Sequence, residues 1–322
     1  MTLASLACAE VVPDGNGYRY HLSADAKGAE LTFLANDSTN VDAYEGDLVV
    51  PETLIYKGTW IDVTGITPLA CANCSRLTSV TMAEGIRQIG LGAFSDCTSL
   101  QSVSLPETLE SMHDLVFYRD SALTHVDLPA RIERLGAGTF AYCLQIDSVG
   151  MKGGLRSIAR QAFYYCRSLS SVVIPASVEA IGEYAFAYCA GLQQLVIGGD
   201  NPIAVTPDVF EGVDVSTCRL IVPTDAIEAY RMADVWCDFD IEGGAEGLSD
   251  VLVDDHSSLY DIKTHGSELW LTVHGDAPAL VYDLSGRRIA VAASRSGLNR
   301  IALARGRNYI IRCGRESQVI TL

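Results

Sequence analysis

Three groups of residues in this chain have types and spacings that could do chemistry. Cys71-Ala72-Asn73-Cys74 sets two thiols at the spacing of a redox pair or of two ligands to one zinc ion, although both also fit a packing role. Tyr142, Tyr165 and Tyr188 recur at a step of 23 residues, each directly before a cysteine, with Tyr118 and Tyr164 one column over. Stacked side by side they would make an aromatic stripe suited to sugar rings or to a protein hot spot, unless each ring only covers the turn beside it. Should the stripe bind, truncating Tyr165 would weaken binding with little loss of stability. The third group is His113, Arg119, Asp120, His125 and Asp127. Alternation along a strand puts His125 and Asp127 on one outward face, where they could hold a ligand or metal or simply be solvated.

Other chemistry finds no foothold. Nothing matches a phosphate loop, a nucleophile elbow or a His-Glu-x-x-His zinc helix, and Gly15-Asn16-Gly17 lacks the strand and helix of a nucleotide fingerprint. The expectation is a chain that is not an enzyme, with no catalytic residues, no cofactor and no resident metal.

The elements that must position these residues follow from a repeat. Cys74, Cys97, Cys143, Cys166 and Cys189 lie on one ladder of 23-residue steps whose missing rung is Asp120. The same step carries Phe94, Phe117, Phe140, Phe163 and Phe186, then Leu77, Leu100, Leu123, Ile146, Leu169 and Leu192, then Val80, Val103, Val126, Val149, Val172 and Leu195. Within a coil, Leu100-x-x-Val103-x-Leu105-Pro106 reads as a short strand ended by proline, Leu109 and Met112 turn back to the core, and Ala-Phe-x-x-Cys closes the turn. One coil cannot bury its own apolar face, so the coils must stack.

Ile181-Gly182-Glu183-Tyr184-Ala185-Phe186 and Leu169-Ser170-Ser171-Val172-Val173-Ile174-Pro175 resemble the BspA-type bacterial leucine-rich repeat. The resemblance implies a mainly β fold, a right-handed leucine-rich-repeat solenoid of about seven coils. It also implies surface-exposed adhesion or binding with varied partners. Coils are traced from Val50 to Val222, with irregular ends: Cys71 stands in the phenylalanine column, Tyr56-Lys57-Gly58-Thr59-Trp60 is inserted, and Phe210 arrives one residue late.

Residues 249–322 lose the period. Leu269–Val273, Ala279–Asp283, Arg288–Val291 and Tyr309–Arg312 alternate as strands, with a hairpin at Gly286. Together with Gly297-Leu298-Asn299-Arg300-Ile301 they resemble C-terminal β-sandwich domains of exported proteins of Bacteroidetes-type bacteria. Charge shifts a little further on: residues 1–262 hold 14 Lys and Arg against 36 Asp and Glu, whereas residues 263–322 hold 9 against 4. The expected organisation is an N-terminal β region over 1–47, the solenoid over 48–242 and a small sandwich over 249–322.

A net charge of −17 excludes a nucleic-acid surface, which needs Lys and Arg to displace counterions. No apolar run reaches the roughly 18 residues of a membrane helix. Residues 1–9 are small and apolar, and Ala7-Cys8-Ala9 resembles a signal-peptidase site without a full signal before it. Cys218 and Cys237 lie off the ladder and are the disulfide candidates. The expected function is non-catalytic recognition or adhesion at the cell surface or after secretion, with a host or matrix protein or a glycan as partner. A structural scaffold of a bacterial surface assembly is the alternative, and a hydrolase with an unfamiliar site the distant one.

Overall fold

The computed structural model describes residues 11–13, 18–23, 25, 27–32 and 43–244, and the backbone of seven strands between Tyr260 and Thr321. Residues 1–9, Gly286 and residues 245–248, to which the sequence assigns a signal remnant, a hairpin turn and most of the boundary between 242 and 249, lie outside the described residues.

Each coil contributes one strand to this side of the stack, in two parallel sheets that follow one another. Gly46–Val50, Leu77–Met82, Ser102–Ser104, His125–Asp127 and Ser148–Gly150 form the first, and Ser171–Ile174, Gln194–Ile197, Arg219–Val222 and Asp240–Gly243 the second. The pairing register equals the repeat, as in Val80 with Val103, Val126 with Val149, and Val172 with Leu195. A second side of each coil adds two-residue strands, among them Arg134–Leu135, Ser157–Ile158 and Ala180–Ile181, also parallel. The Ala-Phe-x-x-Cys turn is the third side. It is tied from coil to coil by backbone bonds such as Phe140 N–H to Ala162 O at 2.8 Å and Phe163 N–H to Ala185 O at 2.8 Å.

The repeated columns fill the interior. Phe94, Phe117, Phe140, Phe163 and Phe186 are fully buried and stack with centroids 5.2–5.6 Å apart; Phe210 continues the stack at 5.7 Å despite arriving a residue late. The ladder cysteines are buried free thiols, and three of them show the contact that recurs one coil back: Cys143 Sγ donates to Phe117 O, Cys166 Sγ to Phe140 O and Cys189 Sγ to Phe163 O, at 3.1, 3.1 and 3.0 Å. Cys71 and Cys74 belong to the same packing. Both are fully buried, and the Cys71 carbonyl accepts the Cys97 thiol at 3.1 Å.

Both ends are sealed. Val11–Pro13, Arg19–Leu22 and Gly28–Thr32 make an antiparallel meander whose last strand pairs in parallel with Thr59–Ile66. The inserted residues are the turn of a hairpin between Thr53–Tyr56 and Thr59–Ile66, with Lys57 at φ 49° and Gly58 at φ 81°. Positive φ at both central residues is what a tight two-residue hairpin turn requires. At the far end Tyr230, Trp236 and Phe239 close over Phe210, and Trp236 Nε1–H donates to Ile203 O at 2.7 Å. The disulfide candidate is corrected here: Cys218 is buried, Cys237 is exposed, and both are free.

The C-terminal strands form two antiparallel sheets. One orders Tyr260–His265, Glu268–Val273 and Leu298–Ala302; the other orders Arg288–Ala292, Ala279–Asp283, Asn308–Cys313 and Glu316–Thr321. All four alternating runs seen in the sequence are strands.

Candidate recognition surface

The turn that carries Ala-Phe-x-x-Cys visits the left-handed region twice per coil. One column holds Leu69, Gly92, Leu115, Gly138, Gln161 and Tyr184, and the other Asn73, Asp96, Arg119, Tyr142, Tyr165 and Tyr188, all with φ between 57° and 64°. Asn, Asp and Gly tolerate this conformation, whereas a bulky L-residue costs about 1–2 kcal/mol there. Three successive tyrosines therefore sit where the backbone disfavours them. Their main chains are held on the next coil: Tyr142 N–H donates to Tyr164 O, Tyr165 N–H to Ala187 O and Tyr188 N–H to Glu211 O, at 2.7, 2.9 and 2.6 Å.

All five candidate tyrosines come together, and each is partly exposed. Tyr142 stacks on Tyr165 at 5.4 Å with 24° between planes, and Tyr165 on Tyr188 at 4.9 Å and 35°. Tyr118 and Tyr164 alternate in their column with buried Ala141 and Ala187, which leaves room for them to meet the stripe edge-on. Tyr118 meets Tyr142 at 5.7 Å, and Tyr164 meets Tyr142 and Tyr188 at 5.5 Å each. Neighbouring rings, and Arg167 over Tyr165, take up ring faces along the stack.

Polar groups bracket it. The Tyr188 hydroxyl donates to Glu211 Oε1, and this bond, followed by burial and the carboxylate's charge, pushes the phenol up to about 12. Gly212, at φ 73°, lets the backbone lie on the Tyr188 ring, since a Cβ there would come within 2.6 Å of Cδ1. The Arg167 guanidinium lies 4.8 Å from the Tyr165 ring centre. Below the tyrosines, Arg119 and Asp96 continue the column as an ion pair at 3.4 Å.

His125 and Asp127 share an outward face as expected, and they contact each other: His125 Nε2 lies 3.1 Å from Asp127 Oδ1. On the neighbouring strand Ser148 Oγ is 2.9 Å from His125 Nδ1 and donates to Asp147 Oδ1 at 2.7 Å. Burial works to lower the imidazole's pKa, but the Asp127 hydrogen bond and charge, Asp147 and Ser148 outweigh it and raise the value. Asp127 is held low in turn: burial opposes this, and His125 and Lys152 overcome it. Serine, histidine and aspartate invite comparison with a nucleophilic triad. Ser148, however, is buried, and its proton is committed to Asp147, so its oxygen is not presented for attack. Among the described residues no hydrogen bond, ion pair or ring contact joins this pair to the tyrosine stripe.

Alternation places Ser148 among the outward polar positions that offer hydrogen bonds; it does bond, but it is buried. Glu211, Gly150 and Arg167 are not apparent from the residue types, although Glu211 and Gly150 stand one period, 23 residues, after Tyr188 and Asp127. Arg167 lies off these columns and carries no such signal.

The BspA type leucine rich repeat region matches residues 64–193 in six copies. Among solved structures the chain is similar to a leucine rich cell surface protein of Faecalibacterium prausnitzii, at 17% identity and a TM-score of 0.47 over 68% of this chain and 72% of that one. It is also similar to a leucine-rich-repeat protein of T. pallidum, at 23% and 0.43 over 57% and 91%, and to one of Bacteroides capillosus, at 27% and 0.37 over 44% and 98%. No curated protein matches the chain.

Proposed function

Taking residues 64–193 as a run of six BspA-type leucine-rich repeats, we propose that the chain is a non-catalytic recognition protein, exposed at the cell surface or secreted, that binds a protein through its tyrosine stripe. The observation that carries this reading is the backbone conformation of the stripe: three consecutive rungs place tyrosine at a left-handed position that Asn73 and Asp96, which suit it better, hold in earlier coils. A protein surface suits it better than a glycan, because sugar recognition uses open ring faces, and here neighbouring rings and Arg167 take up those faces. The excess of acidic residues over 1–262 favours a partner with basic character. In this reading the solenoid is right-handed and the two C-terminal sheets pack as an accessory sandwich.

The full chain presented to panels of immobilised matrix and cell-surface proteins and of glycans tests the proposal. Protein ligands lost on Tyr165→Ala support it. Ligands that bind the variant as well as the natural chain refute it.

One feature favours the scaffold reading instead. Ile55 and Trp60 are directly opposed across the N-terminal hairpin and are 59% and 69% exposed, an apolar pair of the kind assembly contacts use. Concentration-dependent self-association abolished by Trp60→Ser would support a scaffold. A monomer at all concentrations would count against it.

A further inference from the structure

Asp120 occupies the one rung of the 23-residue cysteine ladder that lacks a thiol, and it is fully buried. Its neighbours on the ladder define what that position does. Cys97, Cys143, Cys166 and Cys189 each donate to the carbonyl 26 residues earlier, at 3.0–3.1 Å. For Asp120 that carbonyl belongs to Phe94. One carboxyl oxygen, Oδ1, accepts the Cys97 N–H at 2.8 Å. The other, Oδ2, is buried without a hydrogen-bond partner among the described residues. An ionised carboxylate has only acceptor sites, so it cannot satisfy a carbonyl, whereas a protonated one carries the donor that the thiol supplies elsewhere.

We propose that Asp120 stands in the thiol column as a neutral carboxylic acid whose Oδ2–H donates to the Phe94 carbonyl, and that this rung is a built-in point at which the solenoid loosens as pH rises. The surroundings offer an anion nothing. Cys97 on one side and Cys143 on the other are buried thiols, and Asp96 adds negative charge. The nearest cation by sequence, Arg119, is exposed and engaged with Asp96 at 3.4 Å. Burial accordingly pushes the carboxyl well above its usual range, against the Cys97 N–H, which lowers it, and Asp96 raises it further. A group whose value is raised by folding holds an extra proton in the folded state. Its contribution is complete below the ordinary carboxyl value and is lost as pH rises through the folded value. When the proton leaves to solvent, a carboxylate is left facing a carbonyl oxygen inside the core, and the turn must open to hydrate it.

Infrared difference spectra of the full chain against Asp120→Asn at neutral pH, with melting curves from about pH 4 to about pH 8, test this. The expected result is a protonated carboxylic C=O band present in the natural chain and absent from the variant. Its melting temperature should also fall relative to Asp120→Cys by about 5 °C or more across that range. Asp120→Cys restores the residue of the neighbouring rungs and keeps the comparison available if Asp120→Asn does not fold. A carboxylate band at neutral pH, or a melting difference that does not change with pH, would overturn the proposal.

Discussion

Tyr165 and Phe163 lie two residues apart on one turn and show what a side chain's position decides. Phe163 is fully buried between Phe140 and Phe186, at 5.5 and 5.2 Å. Phe163→Ala leaves a ring-sized void that parallel neighbours on both sides cannot close, so a loss of about 3–5 kcal/mol is expected in chemical denaturation. Tyr165 touches Tyr142, Tyr164 and Tyr188. Its truncation is therefore not silent in stability, as the sequence alone suggests; a loss of about 1–2 kcal/mol follows from the ring contacts, well short of unfolding. The phenylalanine and cysteine columns are legible in the sequence because packing favours one residue class along each, so that exceptions such as Asp120 stand out. The orientation of the tyrosine rings is not, since it depends on a left-handed backbone and on Ala141 and Ala187 yielding space to Tyr118 and Tyr164.

At the level of the strand, the period converts a single rung into a cross-coil pair. His125 lies opposite Ser148, and Asp127 opposite Gly150, where a Cβ would come within 2.0 Å of Asp127 Oδ1. The missing side chain makes room for the carboxylate that leans on the imidazole. Asp127→Asn removes the main influence that raises the His125 pKa and leaves burial opposed only by Asp147 and Ser148, so the value should drop, as an NMR titration of the imidazole would show. Because folding raises the His125 value, the pair stabilises below the ordinary histidine range, and the contribution is lost as pH rises through the folded value. The stability gap between natural chain and variant should then be widest near about pH 5 and stay under about 1 kcal/mol, since Asp127 is largely exposed. Strand positions were readable from alternation. The Lys57-Gly58 hairpin was not, because its turn lacks the Asn-Gly or Asp-Gly pair that marks such turns and shows only as an insertion in the repeat.

For the molecule as a whole, the two parallel sheets together run from Gly46 to Gly243, beyond both limits within which sequence columns can be traced. The end coils had to change residue class to seal themselves, with Tyr230, Trp236 and Phe239 in place of another Ala-Phe-x-x-Cys turn, and so left the pattern that reveals the others. On the loss of the 23-residue period we propose residues 249–322 as a separate unit. Expressed alone, they are expected to give a dispersed amide spectrum, and a collapsed one would contradict that division. In the function proposed here, the tyrosine edge of the solenoid meets the partner. The decisive measurement is the dissociation constant of the Tyr165→Ala chain for the protein ligand that the natural chain binds most tightly. Loss of a central aromatic contact worth about 2 kcal/mol should weaken binding roughly 30-fold in a variant that still melts cooperatively. An unchanged constant in that folded variant would contradict the claim and leave the stripe as packing alone.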